Sequence, residues 1–374
     1  FTHHVLRFTH YVLCFMKTYK NLYPQICTFE NLFLAYLAAA RGKRGRPDVA
    51  AFEQDLEPNL FRLQEELVAQ TYQPLPYTHF PIRDPKPRLI SAADFRDRVV
   101  HHALVRVIEP IFERRFIHDS YACRVGKGTH RALDRCQHFA RRYAFVLQCD
   151  LIHFFPSIDL IILRQILARL ITDARTMWLV DRIIESGSDV PNRYPPTYFP
   201  GDDLFAANRP RGLPIGNLTS QFWANCYLNP LDQFIKRELK CCKQRGGYLR
   251  YVDDLLLFAD DKPTLWRWKA AIADFLVTLR QRLHDRESTV YPVATGIPFL
   301  GFRIYPHKRC LKRRNGVAFA RRFRAQRARL AAGEITYEQL RQSVQGWIAH
   351  AAHGDTEGLR RALVTAHPIP RSPS

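Results

Sequence analysis

The sequence lacks any Cys-x-x-Cys pair, although it contains nine cysteines. Their spacing fits neither a zinc site nor the disulfide framework of a small secreted domain. The adjacent Cys241 and Cys242 are badly placed to bind one ion together. The chain also lacks an apolar run of about 18 residues, the length that a membrane-spanning helix needs. We therefore expect reduced thiols, mostly in the core, and a cytoplasmic, bacterial-type protein without a membrane span.

Acidic residues are scarce. The 35 Asp and Glu stand against 56 Lys and Arg, which leaves a formal charge of +21. This surplus is unusual for a metabolic enzyme and favours a polyanionic partner, above all nucleic acid; a solvated basic face is the plain alternative. Hydrophobic residues make up 47% of the 374 residues, which indicates a globular chain with room for two or three packing units.

The first residues do not resemble the rest of the chain. Residues 1–15 are rich in His and aromatic side chains, and the first Met is Met16. They have neither the clean apolar core nor the small-residue cleavage site of a signal peptide. We expect residues 1–16 to be disordered or to be an extension that precedes the true start.

Apolar spacing predicts a mixture of helices and strands. We expect helices over 28–72 (with a basic break at 41–47), 94–116, 159–186, 217–240, 263–284 and within 320–365. We expect β structure over 73–90, 145–151, 298–305 and 316–319, and a loop over 187–211. The regular alternation of a doubly wound sheet is absent.

The segment Tyr251-Val252-Asp253-Asp254 lies between two apolar runs. These runs predict two buried strands with the Asp pair at their turn. Crowded carboxylates repel each other and lose solvation, so they need compensation. Two divalent metal ions on carboxylates form a device for phosphoryl transfer. A plain Asp-Asp turn that closes a hairpin is the alternative.

Asp150 is the natural third carboxylate, because it ends the apolar strand predicted over 145–151. A strand-terminal Asp in one segment and an Asp-Asp hairpin in another are the layout of a polymerase palm. Metal ions there would activate a primer 3′-hydroxyl and neutralise the triphosphate that it attacks.

With these residues in place, the chain resembles the reverse transcriptases, and the likeness runs in order from about residue 76 to 306. Its motifs are residues 82–90 with 96–100, 116–130, 150–155, 212–232, 251–254 and 299–302. The resemblance implies an α+β, right-hand polymerase fold with fingers, palm and thumb. It divides the chain into an N-terminal helical region (17–75), fingers (76–148), a palm (149–306, with an insertion at about 187–211) and a basic helical thumb and tail (307–374).

The resemblance also assigns roles. Asp150, Asp253 and Asp254 would be catalytic and would bind two Mg²⁺ ions, with Mn²⁺ as a substitute. The nucleotide would contact Arg83, Arg88, Phe155, Pro214, Ile215 and Gly216, with Lys86 a weaker candidate. Phe155 would be the steric gate against a ribose 2′-hydroxyl, while Phe154 packs in the core. Template and primer would contact Ser220, Gln221, Tyr251, Leu300 and Gly301.

Two departures indicate a subgroup. Most reverse transcriptases carry Gln where this chain has Ile215, and many carry Pro where it has Gln221. The form Ile215–Gln221 resembles the enzymes of diversity-generating retroelements, in which loss of the Gln accompanies error-prone copying, notably at template adenines. An apolar side chain removes a hydrogen bond that would orient the nucleotide. Some uncharacterised and defence-associated bacterial enzymes carry similar forms.

A further departure concerns the proton donor. The family often has Lys before the primer grip, and here Glu287 takes its place, with Arg286 or His284 as substitutes and a surface loop as the plain alternative. The basic residues of 308–329 predict a thumb that follows duplex phosphates without reading sequence.

The expected partners are an RNA template, a DNA or RNA primer and deoxynucleoside triphosphates. A small basic accessory protein or a structured RNA is a further hypothesis. The alternatives are a defence-associated or intron-like reverse transcriptase, or a maturase-like RNA-binding protein, for which a broken carboxylate triad would be expected.

Overall fold

The computed structural model describes residues 17–82, 87–187, 190, 193–239, 241 and 246–366. The expectation for residues 1–16 and the roles predicted for Arg83 and Lys86 therefore lie outside the described residues. The chain divides into two compact units built from interleaved segments. The first contains residues 1–118, 151–238 and 271–284, and the second contains residues 119–150, 239–270 and 285–374.

The first unit is mainly helical. Its helices are α1 (Tyr23–Ile26), α2 (Phe29–Ala40), α3 (Pro47–Gln54), α4 (Leu56–Val68), α5 (Phe95–Glu113), α7 (Phe154–Ser157), α8 (Leu160–Ala168), α9 (Ala174–Ser186) and α10 (Leu218–Gln233), which a π-helical turn (Phe234–Glu238) follows. Strands β1 (Thr78–Ile82) and β2 (Arg88–Ala92) form an antiparallel hairpin. The insertion contains a 3-10 turn, Leu204–Asn208.

Helix α5 is the centre of this unit, because α1, α2, α3 and α10 all pack against it. Its apolar face includes Val99, Val100 and Leu104, which are fully buried. That burial follows from the helical spacing of these residues.

Two of the predicted helices are interrupted. The prediction of one helix after the basic break is wrong at Asp55, where α3 ends and α4 begins. The helix predicted over 159–186 is likewise two helices, and Asp173 starts the second by accepting hydrogen bonds from the backbone N–H groups of Arg175 and Thr176. A capping carboxylate begins a new helix because the first backbone N–H groups have no partner within the helix.

The second unit contains two sheets. Strands β3 (Phe145–Cys149), β4 (Gly247–Tyr251), β5 (Asp254–Ala259) and β6 (Thr289–Pro292) form an antiparallel sheet in the order β4-β5-β3-β6. Strands β7 (Ile297–Phe299), β8 (Phe302–Ile304) and β9 (Arg309–Leu311) form the other. Helix α6 (Thr129–Arg142) supplies Leu133, Cys136 and Phe139 to the core that both sheets share.

Three helices close the described part of this unit: α12 (Arg313–Ala331), α13 (Tyr337–Ala351) and α14 (Glu357–Ala366). The strand predicted over 316–319 is wrong, because these residues lie in α12. They belong to a helical stripe in which Phe319 and Phe323 pack with Leu340 and Trp347 of α13. The rings of Phe319 and Trp347 stack with centroids 4.0 Å apart.

Helix α11 (Lys262–Thr278) contributes residues to both units. Within the described residues, no helix is both long enough and apolar enough to cross a bilayer. The described cysteines are free thiols, and Cys27, Cys136, Cys149, Cys226 and Cys241 are buried. The expectation of reduced thiols that lie mostly in the core agrees with this placement.

Candidate active site

The three predicted carboxylates all belong to the second unit, where they lie at one end of β3 and β5, the two central strands of its larger sheet. Strand β3 pairs with β5 up to Cys149 and Leu255, so Asp150 and Asp254 are each one residue beyond that pair. Residues opposite each other in an antiparallel pair point to the same face. Asp253 is next to Asp254 in the turn, and all three residues are half-buried. The structure thus brings Asp150, Asp253 and Asp254 together.

The turn that carries Asp253 is backbone-strained. Tyr251 pairs with Asp254, so Val252 and Asp253 form a two-residue hairpin loop. Val252 has φ of 55°. A β-branched residue in the left-handed region is a genuine outlier, and such strain persists only where the surroundings impose it. The sequence predicted the hairpin but not this strain.

The carboxylate oxygens at this end of β3 and β5 suit Mg²⁺, which proteins commonly bind through one or two carboxylates and the phosphates of the substrate. Among the residues that the structure describes, no group of three or more His, Cys, Asp or Glu side chains is placed to hold a metal ion. Metal binding by the three carboxylates therefore stays a prediction.

The predicted primer-grip residues lie in the same unit, in the turn between β7 and β8. Leu300 and Gly301 have φ of 43° and 88°. The carbonyl oxygen of Gly301 accepts hydrogen bonds from Lys312 N at 3.0 Å and Asn315 Nδ2 at 3.1 Å. The φ of Gly301 favours glycine, and a Cβ on residue 301 would lie 2.9 Å from Asn315 Nδ2, so a larger residue would displace the Asn315 amide.

Tyr251 connects the carboxylate hairpin to this turn. Its ring meets that of Phe299 edge-on, with centroids 6.4 Å apart. Its hydroxyl group lies 3.0 Å from Thr129 Oγ1.

Burial and the charge of Arg314 lower the pKa of Lys312, while Asp254 acts in the opposite direction. The charge of Asp254 therefore acts on Lys312, which precedes α12.

The predicted nucleotide residues that the structure describes lie in the first unit, where the hairpin β1-β2 meets the segment before α10. Ser91 of β2 donates its N–H to the carbonyl oxygen of Ile215 at 2.9 Å. The Asn217 side chain accepts from Ala93 N at 3.1 Å and donates to Ser91 O at 2.9 Å. The strand that begins at the exposed Arg88 is thereby joined to Pro214–Gly216.

Gly216 is exposed and has φ of 122°. A Cβ at this position would lie 2.8 Å from Ile90 Cγ2, so only glycine permits this close approach. Ser220 and Gln221 follow on α10, the first buried and the second exposed. Burial makes Ser220 a core residue of α10, and Gln221 is the member of this pair that is open to a ligand.

Phe154 and Phe155 differ in burial as the sequence predicts. Phe154 is 2% exposed, whereas Phe155 is half-buried, and their rings meet edge-on with centroids 5.4 Å apart. Phe155 therefore presents part of its ring outside the core. The steric-gate role itself stays a prediction.

Ser288 is a residue that sequence reasoning missed. Its hydroxyl group lies 3.3 Å from Asp150 N and 3.5 Å from Asp150 O. Lys269 Nζ in turn donates to Ser288 O at 2.6 Å. A single Ser after a loop has no periodic signal, so only its position beside Asp150 reveals it. Its neighbours Arg286 and Glu287 are exposed.

Comparisons with known proteins identify the family of this chain. The sequence profile of the reverse transcriptase (RNA-dependent DNA polymerase) family matches residues 81–304. This range is more than half of the chain, and the protein belongs to that family. The α+β arrangement with an antiparallel palm sheet is accordingly the reverse transcriptase fold.

Several curated relatives cover parts of the chain. Protein YkfC of Escherichia coli K12 is 29% identical over 56% of this chain and 54% of its own. The group II intron-encoded protein LtrA of Lactococcus lactis is 24% identical over 48% of this chain and 28% of its own. Nuclear intron maturase 1 of Arabidopsis thaliana is 26% identical over 25% of this chain and 14% of its own. The chain thus spans about half the length of these relatives or less. Among solved structures, apo telomerase of Candida tropicalis matches at 12% identity with a TM-score of 0.46, over 63% of this chain and 54% of that chain.

Proposed function

We propose that this protein is an RNA-directed DNA polymerase, which extends a DNA or RNA primer along an RNA template with deoxynucleoside triphosphates. The observation that carries the proposal is the register of β3 and β5, which leaves Asp150 and Asp254 each one residue past the pair Cys149–Leu255, with Asp253 next to Asp254 in the turn. Three carboxylates at the same end of neighbouring strands repel each other unless cations compensate them. A chain with a formal charge of +21 also suits a polyanionic substrate.

In this proposal Asp150, Asp253 and Asp254 hold the metal ions. Two Mg²⁺ ions, or Mn²⁺ in their place, would activate the primer hydroxyl and neutralise the charge that develops on the triphosphate. The strained turn at Val252 fixes where the Asp253 carboxylate points. Tyr251 and the Leu300–Gly301 turn supply the surface for the primer end.

The nucleotide residues act by holding the triphosphate and the base. Arg88 offers an exposed cation for a phosphate oxygen. Arg83 is the second residue that the proposal assigns to the triphosphate. Gly216 lets the backbone approach the new base pair, because no side chain intervenes. Phe155 would exclude a ribose 2′-hydroxyl by contact.

The basic helix α12 supports the binding of a template–product duplex. Its exposed arginines, which include Arg321, Arg324 and Arg329, form a surface suited to phosphates. Such contacts position a duplex without reading its sequence. We also propose that a small basic accessory protein or a structured RNA assists copying.

Error-prone copying is the finer proposal, and Ile215 is the observation that favours it. This half-buried residue has its backbone fixed by Ser91, yet its side chain offers no hydrogen bond to a nucleotide. Discrimination then depends on shape alone, which is weaker than discrimination by shape together with a hydrogen bond. This supports the proposal that the protein belongs with the enzymes of diversity-generating retroelements; the alternatives are defence-associated or intron-like enzymes.

The test is primer extension on an RNA template with Mg²⁺, beside the variant Asp253→Ala/Asp254→Ala. The matched control is Asp260→Ala, which removes an exposed carboxylate at the opposite end of the same strand. We expect extension by the protein and the control, and none by the double variant. No extension, even with a co-expressed neighbouring RNA and protein, would contradict the proposal and favour a maturase-like RNA-binding role.

A further inference from the structure

The segment that carries Phe155 is tied to the insertion loop by a short antiparallel ladder within the first unit. Leu213 N donates to Phe155 O at 3.0 Å, and Gly212 N donates to Ile158 O at 2.8 Å. Leu160 N donates to Pro210 O at 3.0 Å. The position of Phe155 therefore depends on where residues 210–213 lie.

The same ladder leads directly into Pro214, Ile215 and Gly216. Two predicted contacts of the nucleotide, the ring at Phe155 and the backbone at Gly216, are thus held by one piece of structure. A displacement of the ladder would move both.

A network of ion pairs holds this ladder in place. Asp159, which is 2% exposed, accepts from Arg209 Nε at 2.6 Å and lies 3.4 Å from Arg280 Nε. Arg280 also donates to both carboxylate oxygens of Asp202, at 2.6 and 2.7 Å. Asp202 and Arg209 belong to the insertion, whereas Asp159 follows the Phe155 turn and Arg280 follows α11.

The carboxylate of Asp202 keeps its charge at neutral pH. Hydrogen bonds from Arg280 lower the pKa of Asp202 to about 2. Bidentate pairs of this kind fix geometry as well as charge. Gln281 Nε2 adds a hydrogen bond of 3.0 Å to Ser157 O. Two residues after α11 therefore hold this region. Gln281 contacts the turn that carries Phe155, and Arg280 contacts the insertion through Asp202.

We propose that the network Asp159–Arg209–Arg280–Asp202 positions Phe155 and so determines how strongly the enzyme rejects ribonucleotides. These four residues are positioning residues, which act on the sugar through the ladder and the Phe155 ring. The inference rests on the proposed function, since it takes Phe155 as the residue that faces the sugar. A misplacement of about 1 Å at a reacting centre is enough to change rates about 100-fold.

The experiment measures kcat/KM for single insertion of a deoxynucleotide and of the matching ribonucleotide. The test variant is Asp202→Asn, which keeps the size of the side chain but weakens the pair with Arg280. Asp202→Glu retains the charge and should rescue the effect. The matched control is Asp181→Asn, because Asp181 has the same bidentate geometry with Arg164, at 2.7 and 2.9 Å, in the same unit.

We expect Asp202→Asn to lower the ratio of deoxynucleotide to ribonucleotide insertion about 10-fold or more, and Asp181→Asn to leave it unchanged. A melting temperature for each variant separates this effect from a loss of folding. An unchanged ratio in Asp202→Asn, or an equal fall in Asp181→Asn, would overturn the proposal.

A Phe155→Val variant distinguishes this inference from the function on which it rests. If Phe155→Val relaxes sugar selection and Asp202→Asn does not, the role proposed for the network is wrong and the role proposed for Phe155 stands. Normal selection in Phe155→Val would reject the gate itself. If both hold, adding Asp202→Asn to Phe155→Val should change the ratio no further, because the two act through one ring.

Discussion

The hydroxyl group of Ser288 lies 3.3 Å from the backbone nitrogen of Asp150, a residue that precedes it by 138 positions. Strands β3 and β6 pair as far as Gln148 and Thr289. The side chain of Ser288 thus continues the contact where the backbone ladder ends. Lys269, at 2.6 Å from the Ser288 carbonyl oxygen, holds the residue in place. The end of β3 that carries Asp150 therefore has a support outside the three carboxylates.

Ser288→Ala should lower kcat about 10-fold, because residues that orient a metal ligand commonly have effects of that size. Stability should fall by only about 1 kcal/mol, the usual value of one hydrogen bond. Steady-state primer extension at several Mg²⁺ concentrations, together with urea denaturation, would measure both. The control is Thr289→Ala, an exposed neighbour on β6. Equal losses of activity in the two variants would show that Ser288 has no special role.

Val252→Gly should reduce activity without reducing stability by more than about 1 kcal/mol. Glycine removes the strain of φ at 55°, which costs about 1–2 kcal/mol for an L-residue, but it adds about 0.5–1 kcal/mol of backbone entropy to the unfolded chain. The freed turn would no longer hold the Asp253 carboxylate in one direction.

Denaturation and primer extension on Val252→Gly are to be compared with Val290→Gly, which lies in the extended strand β6. There glycine relieves no strain, and the stability should fall. If Val252→Gly is the less stable of the two, the positive φ of Val252 does not destabilise the folded protein.

Ile215→Gln should reduce misincorporation opposite template adenine, because the new amide can donate or accept a hydrogen bond near the nucleotide. The backbone should not move, since Ser91 holds the Ile215 carbonyl oxygen at 2.9 Å. Sequencing of the products on a defined RNA template gives the error spectrum. Ile215→Leu keeps the apolar character and should keep the errors. Identical error spectra for Ile215→Gln and Ile215→Leu would show that this side chain does not determine fidelity.

The contact of α6 with α13 should weaken in mild acid. The rings of His130 and His353 stack with centroids 3.3 Å apart, and His350 lies 6.2 Å from His130. Burial, and then the neighbouring His353, lower the pKa of His130 and His350. Asp134 acts in the opposite direction on His130, while Arg309 adds to the lowering.

The sign follows from linkage. A His whose folded pKa is depressed stabilises the fold above its ordinary pKa of about 6.5, and that contribution is lost as the pH falls through the folded value. The melting temperature should therefore fall below about pH 6.5. His353→Phe should flatten this dependence, and His307→Phe, at an exposed position, should not. A parallel decline in all three proteins would contradict the assignment.

Much of the site was predictable from local sequence. Asp150 was found because it ends an apolar strand, and Asp253 and Asp254 because two apolar runs surround them. The α+β class and the hairpin follow from the same patterns. Errors arose where capping overrode periodicity, as at Asp173, and where packing did, at 316–319, where Phe319 belongs to a helical stripe. Nothing in the structure explains the break at Asp55.

The sequence by itself determined which chemical groups this protein has and their order along the chain, because motifs of a few adjacent residues are visible without a structure. Only the tertiary structure decided what holds those groups. Ser288 reaches Asp150, and Arg280 joins Asp159 to Asp202, across long stretches of chain. Such contacts depend on side-chain geometry between distant segments. They leave no periodic pattern in the sequence, so folding alone reveals them.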